Sequence, residues 1–205
     1  MKQKVNYSLL IIVFSILTNI CLAQNLKPNK AEKKWAMLHP FAALRVQGIS
    51  KKAKLIYRDT SITKYLDHYE AGGKLDAIRH VFFMASFAQK IKIKKIRELG
   101  VMHEKQNYQD FLNGHLEFGE LPDSLSSVMD LRNNELGLMI GKTNKSLNQM
   151  ALAKIVVKAI LDGKATIVKR DSLKNYLTCN NEIIHLPLYQ KQWYVPKCLV
   201  KSNED

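Results

Sequence analysis

The chain has 205 residues, of which 46% are hydrophobic, and a formal net charge of +14 from 32 Lys and Arg against 18 Asp and Glu. That length suits one well-buried domain and excludes two comfortable ones. The charge implies either attraction to an anionic partner (a lipid surface, a wall polymer or nucleic acid) or plain solubility.

Residues 1–23 read as a secretory signal peptide, because Lys2 and Lys4 precede an apolar run over 8–23 that ends in small residues. The run is short for an uncleaved anchor. A lipoprotein would acylate Cys21, but Ile20 stands before it where a small residue is wanted. Cleavage after Ala23 is therefore expected, which makes the mature chain exported, periplasmic or extracellular, and free of a transmembrane segment. Its charge is +12, because the first 23 residues hold two lysines and no acid. Residues 24–205 are expected to form a single compact domain, mainly α, with a small C-terminal β appendage.

Pro28 suits the first turn of a helix running through Trp35 and Leu38, and Pro40 ends it. From Phe41 an amphipathic helix follows, weakened near Gly48, and then a short helical turn over 61–70. Gly72 and Gly73 break the chain before residues 74–89, KLDAIRHVFFMASFAQ, the centre of the fold. A helix that is apolar nearly all round is buried, yet this one opens with Asp76, Arg79 and His80 on a single face. Aspartate and arginine are almost never fully buried unless paired, so these three need partners from elsewhere.

The next helix, expected over 91–105, has a narrow apolar stripe through Ile93, Ile96 and Gly100 that carries His103 and Glu104 inward. Residues 107–122 read as an irregular loop over the core, long enough to suggest a function. A helix over 124–141 presents Asp130, Asn133, Asn134, Gly137 and Gly141 as one inward strip. Its two glycines, four apart, are explained by another backbone or a ligand passing close. Residues 147–161 form a last amphipathic helix stopped by Gly163, and 165–170, 182–186 and 193–200 read as strands of a β-rich tail spanning 164–200. Cys179 and Cys198 are an even pair in an exported chain, hence a disulfide candidate; two free buried thiols are the alternative. His39, His68, His115 and His185 read as ordinary packed or surface histidines.

Three segments thus send polar groups inward: Asp76, Arg79 and His80; His103 and Glu104; Asp130, Asn133 and Asn134. The set contains bases, acids, orienting amides and ligands suited to a divalent metal. Residues 104–135 hold seven acids against two bases, so a basic exterior would surround an acidic centre.

These motifs, Asp76-Ala77-Ile78-Arg79-His80, His103-Glu104, and Met129-Asp130 through Asn133-Asn134 to Gly137, resemble a family of uncharacterised bacterial domains found at the ends of exported or toxin-like proteins. The family pattern runs D-A-x-R-H, H-E and M-D-x-x-N-N-x-x-G, and the resemblance covers about residues 35–170. Where the family has an aromatic shortly after the first His, often tryptophan, this chain has Phe82 and Phe83. The resemblance implies a shared site and no settled activity.

Two functions follow as expectations. One is a secreted hydrolase of an anionic phosphodiester, lipid or envelope polymer, with His80 or His103 as base or ligand, Glu104 or Asp130 as partner carboxylate, and Asn133 and Asn134 orienting. The other is a non-catalytic envelope-binding or interaction module whose buried cluster is a structural network.

Overall fold

The computed structural model describes residues 30–204. The expected signal peptide and Cys21 lie outside the described residues. Within them, no helix is long and apolar enough to cross a membrane.

Seven α-helices are present among the described residues: α1 (Lys30–Leu38), α2 (Pro40–Tyr57), α3 (Thr60–Thr63), α4 (Lys74–Ala88), α5 (Ile93–Asn113), α6 (Ser124–Thr143) and α7 (Gln149–Leu161). Pro40 both ends α1 and starts α2, since a proline at the first position of a helix gives up only an N–H that would be unpaired there anyway. Every residue of α4 from Asp76 to Ala88 is buried, as expected of a helix with almost no polar side. Its closest packing is against α6, with α2 and α7 on other sides. Trp35, almost wholly buried, donates from Nε1 to Lys95 O at 3.0 Å and so fastens α1 to α5.

The intimacy of α4 and α6 comes from two absent side chains. A Cβ at Gly137 would collide with Val81 O and lie 2.8 Å from Met84 Cβ, and one at Gly141 would collide with the backbone of Ala85. The neighbour these glycines were expected to admit is thus the backbone of α4.

The C-terminal part of the chain is less regular than expected. Thr166–Val168 (β1) pairs antiparallel with Leu199–Lys201 (β2), and this is the one named sheet among the described residues. The strand expected over 182–186 is reduced to a bridge between Leu177 and Ile183, followed by a 3-10 turn at Leu186–Tyr189 with Pro187 as its second residue. The one expected over 193–200 shortens to β2, because Pro196 cannot donate to a ladder. A disulfide joins Cys179 to Cys198 and closes this appendage on itself.

Helix α5 is longer than its sequence suggests, running to Asn113 where a loop was expected from residue 107. Its last turns are covered by the appendage: the Trp193 ring lies 5.1 Å from Tyr108 and 5.3 Å from Phe111. Gly114, at φ 68°, then ends the helix in a left-handed cap.

Candidate functional site

The site begins with how α4 starts. Gly73 caps the helix without a side chain, and Asp67 stands in for it, accepting from Lys74 N at 2.6 Å and Leu75 N at 3.1 Å. One turn in, Asp76 accepts from Gly72 N through Oδ2 at 2.7 Å, so the loop and the first turn hold this carboxylate in place. Its Oδ1 accepts from Nε and Nη2 of Arg79.

His80 lies one turn further along the same face. Its Nδ1 is 3.2 Å from Oδ1 of Asn134 on α6, which makes Nδ1 the donor nitrogen and leaves Nε2 directed elsewhere. That Nε2 is 3.4 Å from Asp76 Oδ1 and 3.3 Å from Asp130 Oδ1. The close approach of α4 to α6 at Gly137 and Gly141 brings Asp130 and Asn134 within reach of His80. Glu104, from α5, is buried and accepts from Asn107 Nδ2 at 2.9 Å.

Burial sets the electrostatics. Asp76, Arg79, His80, Glu104 and Asp130 are each at most 6% exposed. Burial alone would raise Asp76, but the Arg79 guanidinium and His80 outweigh it and hold the carboxyl below its ordinary range. Burial likewise opposes the charge on Arg79, and Asp76, Glu117 and Asp130 hold its proton more firmly than usual. Burial raises Glu104, against the pull of His103 and His80. It raises Asp130 well above the carboxylate range, with Asp76 and Glu104 adding to the effect.

Three atoms of this cluster are buried without a hydrogen-bond partner: His80 Nε2, Asp130 Oδ1 and Glu104 Oε1. A second buried polar group on α4, one turn from its C-terminus, differs in this respect. Ser86 Oγ lies 2.7 Å from both Phe82 O and Gln149 Oε1 and shares its one proton between them, Gln149 donates to Gln89 Oε1, and Gln89 donates to Asn144 O and Leu147 O, so the chain of contacts is continuous.

A family model described as Domain of unknown function (DUF6973) matches residues 33–164. The chain belongs to this family. No curated protein and no solved structure matches it.

The DUF6973 span contains all eight of the inward-facing residues singled out in the sequence, and the structure brings five of them together: Asp76, Arg79, His80, Asp130 and Asn134. Glu104 stands beside them, its field acting on Asp130. His103 is turned away, with Nδ1 3.1 Å from Glu32 Oε1 on α1. Burial would lower its pKa, but the bond to Glu32 and the fields of Glu104 and Glu117 raise it to about 9. Asn133 is wholly buried against β1, donating to Thr166 O and accepting from Thr166 N, both at 2.9 Å.

The meeting point of these faces is covered in this conformation. Residues 114–122 fold over it, with Glu117 Oε1 3.4 Å from Arg79 Nη1 and the Phe118 ring centroid 4.6 Å from the guanidinium. Neither residue was a sequence candidate; the signal available was the long acidic segment with two glycines. Residues beyond the DUF6973 match join Glu120 and Asp123 in a further ionic group that anchors this cover to the appendage. Tyr176 donates to Glu120 and stacks on Arg170, while Lys197 Nζ lies 2.8 Å from Asp123 Oδ2. Its basic and aromatic members belong to the irregular tail, where no periodicity points to them.

Proposed function

We propose that this DUF6973 chain is an exported hydrolase of an anionic ester (a phosphodiester, lipid or envelope polymer) that reacts at the His80, Asp130 and Glu104 cluster, in the toxin-like setting that its motifs suggest. The observation that carries this reading is the set of unpartnered buried atoms. A buried polar atom without a partner costs about 1–3 kcal/mol, more if charged, and this cluster gathers three of the seven such side-chain atoms among the described residues at one place. The continuous chain of contacts from Ser86 through Gln149 to Gln89, which joins the end of α4 to the start of α7, illustrates the alternative.

In this reading Arg79 binds the substrate anion. Its Nε and Nη2 are committed to Asp76, and its Nη1 makes only the 3.4 Å contact to Glu117 that an anionic oxygen would replace. A water within the cluster attacks the phosphorus or acyl carbon and its proton passes to Glu104 Oε1. The ester P–O or C–O bond breaks, and the leaving oxygen takes the proton back. Asn134 orients the His80 ring, and Asn133, engaged with Thr166, positions α6 against β1. The cover formed by residues 114–122 must open to admit substrate.

That cover also favours a second reading, a non-catalytic envelope-binding module whose cluster stays closed. Assay of the mature chain and of Asp130→Asn on a phosphodiester, on anionic lipid vesicles and on isolated envelope polymer separates the two. Hydrolysis that falls at least a hundredfold in the variant, with helicity retained, supports the enzyme. No turnover of any of the three, with a melting temperature lowered in the variant, supports the module.

A further inference from the structure

We propose that Asp76, His80 and Asp130 form a binding site for one divalent first-row transition ion, of which zinc and manganese are the representative cases. The inference rests on reading these side chains as a functional site and adds the ligand that completes it.

Geometry supplies the first argument. One donor atom from each of the three residues falls within a sphere of contact in which all lie within 4.8 Å of one another. The two separations involving the imidazole nitrogen are 3.3 Å and 3.4 Å. A tetrahedral ion with nitrogen and carboxylate ligands at about 2.0–2.2 Å has ligand-to-ligand edges of about 3.3–3.6 Å, so these spacings suit a shared ion. Although Nε2 is this close to two carboxylate oxygens, neither is placed to hydrogen-bond with it; Nε2 and Asp130 Oδ1 both lack a partner. His80 and Asp130 are each 6% exposed, so bulk water does not satisfy those atoms.

The surroundings supply the second argument. Metal-bound histidines characteristically donate their other ring N–H to a carbonyl or carboxylate, and ligating carboxylates are themselves hydrogen-bonded. Nδ1 of His80 meets the amide oxygen of Asn134, Asp76 Oδ2 accepts from Gly72 N, and Asp76 Oδ1 accepts from Nε and Nη2 of Arg79, contacts that an ion at Oδ1 would share. One histidine with two carboxylates is a donor set for a borderline divalent ion. Charge balance agrees, since the carboxylates of Asp76, Glu104, Glu117 and Asp130 are faced by the guanidinium of Arg79 and, on the Glu104 side, by the His103 ring, and a divalent ion offsets the remaining negative charge. Three protein ligands leave a coordination position for water or a substrate oxygen, the arrangement of catalytic sites.

The test uses the full mature chain, tag-free and stripped with chelator, titrated by calorimetry with Zn²⁺ and Mn²⁺ and by visible absorption with Co²⁺. The expected result is one equivalent bound, a Co²⁺ d–d spectrum, and affinity at least a hundredfold lower in Asp130→Asn and His80→Gln, with His103→Gln binding as the native chain does. Absence of saturable binding of all three ions by the native chain overturns the proposal whether or not the variants fold. Binding that Asp130→Asn and His80→Gln leave unchanged also overturns it. The hydrolase reading is scored separately: binding without turnover of any ester keeps the metal site and removes the enzyme, whereas turnover by the stripped chain that does not bind ions does the reverse.

Discussion

Nδ1 of His103 lies 3.1 Å from Oε1 of Glu32, joining α5 to α1 across 71 residues of sequence. The folded-state pKa of His103, about 9, is above its ordinary value of 6.5, so the protonated ring is favoured by folding. The stability this confers is complete below about pH 6.5 and is lost as pH rises through about 9. At 1.36 kcal/mol per unit the contribution is at most about 3 kcal/mol, less for a side chain that remains partly exposed. Denaturant unfolding of the native chain should show this loss between pH 6 and pH 9.5, and His103→Gln should start lower and decline less. If the variant declines as steeply as the native chain, the pair does not carry the effect.

Glu117 and Phe118 cover Arg79 through one long ion pair and one ring face, while Glu120 fastens the far end of the same segment to Tyr176. Phe118 has φ 49° and Gly119 φ 84°, so two consecutive residues hold the left-handed conformation, uncommon for a side chain as large as phenylalanine. Glu117→Ala should accelerate amide exchange across residues 114–122 by roughly tenfold, the effect of removing about 1.4 kcal/mol from closure. Exchange in α4 and α6 should be unchanged. Equal acceleration in those helices would mean that the loop is part of the global fold and not a cover.

Glycine to alanine changes on two helices should have opposite signs. Gly137→Ala and Gly141→Ala place a methyl group against the α4 backbone and should destabilise by about 3 kcal/mol or more, far beyond the gain of about 1 kcal/mol from helix propensity. Gly48 lies within α2, where a Cβ would meet nothing within 4 Å, and Gly48→Ala should stabilise by about 0.5–1 kcal/mol. Thermal melts of the three variants are sufficient to check this.

The Cys179–Cys198 disulfide spans 19 residues, a loop whose closure contributes about 3 kcal/mol in the chain-entropy account. Reduction should expose two thiols to alkylation and lower the melting temperature. The far-ultraviolet signal of the helices should survive at moderate temperature, because the bond lies wholly within the appendage. Two thiols that label without reductant would refute the bond.

How much of this was legible beforehand differs between elements. The 3.6-residue period of 74–89 and 124–141 identified both helices, their polar faces and the close approach at Gly137, because each of these is written in residues a turn apart. The end of α5 was not legible: its last turns contain a run of polar residues and precede a glycine, and the Trp193 that covers them is eighty residues away. The strands of the tail were over-read for a related reason, since Pro187 and Pro196 interrupt apolar runs whose actual partners are a single bridge at Ile183, the disulfide and the three-residue pairing of β2 with β1.

The same division holds within the candidate site. Sequence alone determined that Asp76, Arg79, His80, Glu104, Asp130 and Asn134 sit on inward faces, because helical spacing decides which side of a helix a residue occupies. Only the tertiary structure decided that His80 faces Asp76 and Asp130, that His103 turns to Glu32, that Asn133 serves β1, and that Glu117 closes over Arg79. Which buried charge meets which depends on the separation and rotation of packed helices, and those are set by contacts such as the backbone of Val81 against Gly137, between residues with no local relation in the chain.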